Sequence, residues 1–114
     1  MAEPIRLTLV SASWCPYCVP TSTDRAPVLA KRLGVPFRLL DIDLPASEDE
    51  ADRLVRAFGA WKDDYVIPQA FLEWSDGTAD AILVAVRSSP IGETRKAWDA
   101  LLADPERLRR RATE

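Results

Sequence analysis

Three residues, Ser75-Asp76-Gly77, separate two β-rich runs, VIPQAFLEW (66–74) and TADAILVAV (78–86). A parallel connection needs a crossover several times that length, so these runs are restricted to an antiparallel hairpin. The chain before them alternates strand and helix signals. IRLTLVSA (5–12) is apolar and β-rich enough for a buried strand, and VPFRLLDID (35–43) predicts a second. Between them, Val28, Leu29 and Leu33 share one face of a predicted helix that stops at Gly34. The strongest helix signal is PASEDEADRLVRAFGAW (45–61), where Ala51, Leu54, Val55 and Phe58 form an apolar stripe and Ser47 with Glu50 reads as a capping box. In SSPIGETRKAWDALLAD (88–104), Ser89 suits an N-cap and Pro90 the first helical position, with Ile91, Thr94, Trp98 and Leu101 facing inward. The order is therefore β-α-β-α-β-β-α. The first two strands should be parallel through a right-handed crossover. The hairpin should extend the same sheet, giving an α/β domain with a four-stranded mixed sheet, one helix on one face and two on the other.

The 114 residues suit one domain, taken as 1–104, with a basic tail at 105–114. Arg109-Arg110-Arg111 could be an anion-binding patch; a solvated helix end with cations near its C-terminus is the simpler reading. The net charge of −3 argues against nucleic acid as a partner. No stretch approaches the ~20 apolar residues of a membrane span, and MAEPIRLTLV does not read as a signal peptide. A cytoplasmic monomer is expected.

The chain has two cysteines, both in SWCPYC (13–18), and no histidine. A closed zinc site needs four ligands, usually Cys and His, so no metal is expected. The absence of histidine removes Cys-His and Ser-His-Asp catalysis, and the four scattered glycines form no phosphate loop. No cofactor is expected. In a reducing compartment, a close cysteine pair points to exchange chemistry rather than a structural staple. Cys15 is expected at the start of the first helix, where the helix dipole would lower a thiol pKa from ~8.5 toward ~7. Cys18, one turn on, should be the more buried, with the higher pKa. Cys15 would attack a substrate disulfide, and Cys18 would resolve the mixed disulfide. Pro16 removes one backbone donor near the sulfur, and Tyr17 covers the exposed corner of the motif.

CPYC after a first strand, followed about fifty residues later by Pro68 at the opening of a β-hairpin, resembles the thioredoxin–glutaredoxin superfamily over roughly residues 5–103. The resemblance implies a thioredoxin fold, a cis Ile67–Pro68 bond beside the cysteines, and backbone at Ile67 presented to substrate. CPYC is of glutaredoxin type, whereas Trp14 directly before Cys15 is a thioredoxin-type lead-in. The basic residue that glutaredoxins place before the motif is missing at Ser11, Ala12 and Ser13. Their paired glycines reduce to Gly77 and Asp80 in DGTAD, so glutathione is a doubtful partner. The buried acid of the thioredoxin active-site strand is also absent among Leu7, Leu9 and Val10. Pro20 and Pro27 predict a bend or interruption in the first helix, with Thr21, Ser22, Thr23 and Asp24 as cap formers between them. That segment could reshape a partner surface or be a tolerated one-turn insertion.

Trp14, Pro16, Tyr17, Tyr65, Ile67 and Pro68 are the candidate substrate contacts. Trp61 is either a rim or a core residue, and Trp74 and Trp98 are expected in the core. The expected activity is thiol-disulfide exchange on protein disulfides, with a thioredoxin-reductase-type flavoenzyme or another dithiol as reductant. The alternatives are a glutathione-dependent glutaredoxin and an electron-transfer or adaptor module dedicated to one partner.

Overall fold

The computed structural model describes residues 3–63, 65–85 and 90–109. Among these residues, β1 (Pro4–Ser11), α1 (Thr21–Leu33), β2 (Phe37–Asp41), α2 (Pro45–Phe58), β3 (Gln69–Trp74), β4 (Ala79–Val84), α3 (Ile91–Ala103) and the short α4 (Glu106–Arg109) follow one another. The sheet order is β2-β1-β3-β4. β1 and β2 are parallel, and β3 runs antiparallel to both β1 and β4. This is the mixed four-stranded sheet that the connection lengths require.

Strand parity sorts the core into two halves. Leu7 and Leu9 of β1 join Ala70, Leu72 and Trp74 of β3 against Leu29 and Leu33 of α1 and Trp98 of α3. Val10, Leu40 and Phe71 point the other way, onto Ala51, Leu54 and Val55 of α2. Helices thus cover both faces, and all six residues of β3 are buried. Trp74 and Trp98 are core residues as expected, and the Trp74 indole donates to Asp80 at 3.1 Å. In the Ser75–Gly77 turn, Gly77 takes φ +87°, a left-handed conformation that favours glycine.

Several local expectations are corrected. Val28 is exposed; the buried face of α1 is Ser22, Ala26, Leu29, Ala30 and Leu33. Ser47 and Glu50 form no capping box, because Pro45 starts α2 two residues earlier, with Leu44 as its N-cap and no side-chain cap. Its fixed φ suits a first helical position. Pro27 lies inside an unbroken α1, so it does not interrupt the helix, whereas Pro20 stands directly before it. Thr21–Asp24 give α1 no side-chain cap at Pro20. Pro90 is the N-cap of α3 rather than its first residue, and Ile91 is exposed. Ser89, Val86, Arg110 and Arg111 lie outside the described residues. Arg109 donates to the Leu33 carbonyl at the end of α1 and pairs with Glu106, so within the basic tail this cation serves a helix C-terminus.

The half of the sheet remote from the cysteines holds a buried ionic cluster. Glu73 of β3 accepts two hydrogen bonds from Arg6, both 2.8 Å, and another from Thr8, with Arg38 at 3.4 Å. Burial alone would raise the Glu73 carboxyl, but the hydrogen bonds from Arg6 and Thr8 and the charge on Arg38 outweigh it and hold the group below its usual range.

Gly59 follows α2 where the chain passes tightly over β3. A Cβ there would stand 2.5 Å from Gln69 Oε1 and 2.8 Å from Phe71 Cζ. Gly59→Ala is expected to destabilise the protein by about 1–3 kcal/mol, the ordinary range for overpacking a core. A urea melt showing no loss would mean that Phe71 and Gln69 yield without strain.

Candidate functional site

The antiparallel register places Val10, near the end of β1, opposite Gln69, the first residue of β3. The two segments flanking that pair, 12–18 and 65–68, therefore meet at one end of the sheet. Ala12, Cys15 and Cys18 form a small buried cluster there, packed by Tyr17, Ile42 and Ile67. Cys15 and Cys18 come within 3.0 Å of each other as free cysteines. Cys15 Sγ lies 3.9 Å from the Ile67 carbonyl, the long, weak contact typical of a sulfur donor. Ile67–Pro68 is cis, as is Val19–Pro20. The Pro68 carbonyl accepts from the Ala85 N–H at 3.1 Å, which ties the loop to the end of β4.

The cysteines do not occupy the first turn of α1, which corrects the expectation that they would. They lie in a run of tight turns before Thr21, the first residue of that helix. The Cys15 carbonyl accepts from the N–H groups of Cys18 and Val19, and the Cys18 carbonyl from those of Ser22 and Thr23. Pro20 is the physical reason, since it has no N–H to continue the ladder back through the motif. A helix-dipole argument for Cys15 therefore does not apply in its simple form.

Both thiols are buried, Cys18 completely. Burial pushes the Cys18 thiol well above its ordinary range. The hydrogen bond to Cys15 and the negative charge of Asp41 add to that rise, while the Ala12 backbone opposes it. Asp41 ends β2 opposite Ser11. β1 places no carboxylate near the sulfurs, and β2 brings Asp41 close enough to affect Cys18.

Two buried polar residues brace the loops. Ser22 Oγ donates to the Tyr17 carbonyl at 2.8 Å and accepts from the Trp98 indole, also at 2.8 Å. Gln69 Nε2 donates to the Val66 and Ala60 carbonyls, and its Oε1 accepts from the Ala60 N–H. The sequence marks Ser22 only as a cap former; for Gln69 the available signal was a polar residue opening a mostly apolar strand.

A pocket of about 190 Å³ opens beside Cys15, lined by Trp14, Cys15, Pro16, Tyr17, Tyr65, Val66 and Ile67. Five of the six expected substrate contacts line it, and Pro68, buried at the mouth of β3, does not. Val66 was not anticipated. Trp61 stands behind the wall, its ring 5.5 Å from that of Tyr65 and covered by the Arg56 guanidinium at 4.2 Å.

Fold and site together define an α/β protein with a buried dithiol at one end of a mixed sheet. No protein-family model, no curated protein and no solved structure matches the chain. Among the described residues, no cluster of three or more His, Cys, Asp or Glu could hold a metal, and no helix is long and apolar enough to cross a membrane.

The raised Cys18 pKa has a thermodynamic consequence. An unfolded thiol ionises near the ordinary value of 9.0, whereas buried Cys18 stays protonated. Its contribution to stability is thus complete below that pH and declines above it, by up to about 1.4 kcal/mol per pH unit. Between pH 8 and 10, the reduced protein should lose stability more steeply than Cys18→Ala in paired urea melts. Parallel slopes would show that Cys18 ionises as freely in the folded state as in the unfolded chain.

Proposed function

We propose that this protein is a thiol-disulfide oxidoreductase acting on protein disulfides, with a thioredoxin-like fold and a place in the thioredoxin–glutaredoxin superfamily. The observation that carries the reading is the asymmetric pair itself. Cys15 borders an open pocket, and Cys18 lies behind it, fully buried and held protonated. A nucleophile must be reachable and a resolving thiol must wait; that Cys15 and not Cys18 lines the pocket supports this division of roles.

In the proposed cycle, the Cys15 thiolate attacks one sulfur of a substrate disulfide. The S–S bond breaks, and the other substrate sulfur leaves as a thiolate that takes a proton from solvent. Cys18 then loses its proton and attacks Cys15, which forms the Cys15–Cys18 disulfide and releases the second substrate thiol. Two electrons pass from the dithiol to the substrate. A protein dithiol, or a flavoenzyme of the thioredoxin-reductase type, returns them. Such a cycle belongs in a reducing compartment, which fits a cytoplasmic location.

The electrostatics disfavour glutathione as the electron donor. Its carboxylates need cationic partners, and among the described residues no Lys or Arg lines the pocket beside Cys15.

Cys15→Ser should abolish disulfide reduction, and Cys18→Ser should accumulate a mixed disulfide with substrate, visible by intact mass. Faster iodoacetamide labelling of Cys18 than of Cys15 in the reduced protein would reverse the roles.

In a side-by-side assay following Trp14 fluorescence, a thioredoxin-reductase-type flavoenzyme or a protein dithiol should reduce the Cys15–Cys18 disulfide faster than millimolar glutathione does. Each missing charge-assisted contact costs glutathione about one to two decades in affinity. Rapid saturable turnover with glutathione, and none with a protein reductant, would place the protein with the glutaredoxins.

A further inference from the structure

The pocket beside Cys15 has an unusual wall. Tyr65 comes from the loop after α2, and its ring lines the pocket. Its hydroxyl donates to Asp52 of α2 at 2.9 Å, and Asp52 is not part of the lining. The polar end of the tyrosine is thus engaged outside the pocket. Burial and this hydrogen bond push the phenol above its ordinary pKa, so it remains a neutral donor. Trp61 backs the ring, and Arg56, one turn after Asp52, covers Trp61. The last turns of α2 therefore fix one wall of the pocket, and it turns hydrocarbon toward the sulfur. Trp14, 65% exposed, provides a broad apolar flank, and among the described residues no charged side chain lines the space.

We propose that this pocket receives a bulky apolar side chain next to the reacting cysteine of a protein disulfide, and that Asp52 acts as a positioning residue that sets this preference through Tyr65. The inference rests on the exchange activity proposed above and names the class of substrate that activity takes. The pocket's volume suits one Leu- or Phe-sized group, and its place beside Cys15 Sγ puts that group adjacent to the sulfur under attack. A polar side chain there would lose water and find no charged partner in the lining.

The test uses symmetric disulfide dimers of a single-cysteine peptide, Ala-X-Cys-X-Ala, with X either Leu or Ser, so that both sulfurs are equivalent and neither peptide is charged at X. Pre-reduced protein should reduce the Leu dimer about tenfold faster than the Ser dimer, as expected for partial burial of one large apolar side chain. Tyr65→Ala should shrink that ratio to about threefold or less by slowing the Leu dimer more than the Ser dimer. Asp52→Asn and Tyr65→Phe keep the side-chain volumes and should each lower the ratio through the half-saturating peptide concentration rather than the limiting rate. Combining them should add little, because both act on the same hydrogen bond, which Asp52→Asn weakens by removing the charge and Tyr65→Phe removes outright. A merely structural role for Asp52 would slow both peptides alike and overturn its assignment. Equal rates for the two dimers with wild-type protein would sink the pocket preference and leave the exchange activity standing. Failure to reduce either dimer would remove both.

Discussion

The pairing of β1 with β3 is the constraint on which the rest depends. These central strands are antiparallel, and residues from both are buried on both faces. Their register sets Val10 opposite Gln69, so the end of one strand and the start of the other leave the sheet side by side. The chain after β1 carries the cysteines, and the chain before β3 carries Tyr65 to Pro68. A register slip of one residue would send Leu7, Leu9 and Leu72 to the wrong face, so the core itself pins the geometry of the site.

Backbone pairing alone would not hold two turn-rich segments in place. That task falls to buried polar side chains whose partners are all backbone or one another. Gln69, fully buried, would be costly without partners, and the loop backbone at Ala60 and Val66 satisfies it. Ser22 plays the equivalent part for the cysteine segment, joining the Tyr17 carbonyl to the Trp98 indole of α3. Each brace links the sulfur end to a different layer, the sheet in one case and the α1–α3 layer in the other.

How much of this was legible in the sequence follows from the range of the forces involved. The three-residue Ser75–Gly77 connection and the apolar periods of 5–12 and 45–58 act locally, and they led to the first seven elements in order and to the mixed sheet, but not to α4 within the segment read as a basic tail. The motif located the cysteines, and the spacing to Pro68 brought Ile67 to them. What failed depended on competition between neighbours. Pro45 and Ser47 both suit the start of α2, and proline prevailed; Pro20 set the start of α1 beyond Cys18, although the motif suggested a helix there. Asp52, Gln69 and Ser22 escaped notice because their roles are tertiary. Asp52 lies 13 residues before Tyr65, and Trp98 lies 76 residues after Ser22, separations at which no sequence periodicity operates.

The distribution of cations gives the sulfur end its character. Arg6 and Arg38 are engaged with Glu73, and Arg53 with Glu50, all on the α2 face. Arg25 pairs with Asp99, and Arg32 donates to the Leu102 carbonyl, across the α1–α3 contact. Arg56 lies over Trp61, and Arg109 closes the end of α1. These seven arginines are engaged elsewhere in the fold, none of them lines the pocket, and the nearest of them to the sulfurs in sequence, Arg25, points to α3. In the exchange activity proposed above, such a site would have little electrostatic reach toward charged small thiols, and its selectivity would come from contact with apolar surface, which a protein chain supplies and a tripeptide of glutathione's polarity does not. Cys18 stays protonated first because it is buried, and Asp41 adds to that effect; in the cycle proposed above, its thiolate would form only as it bonds to Cys15.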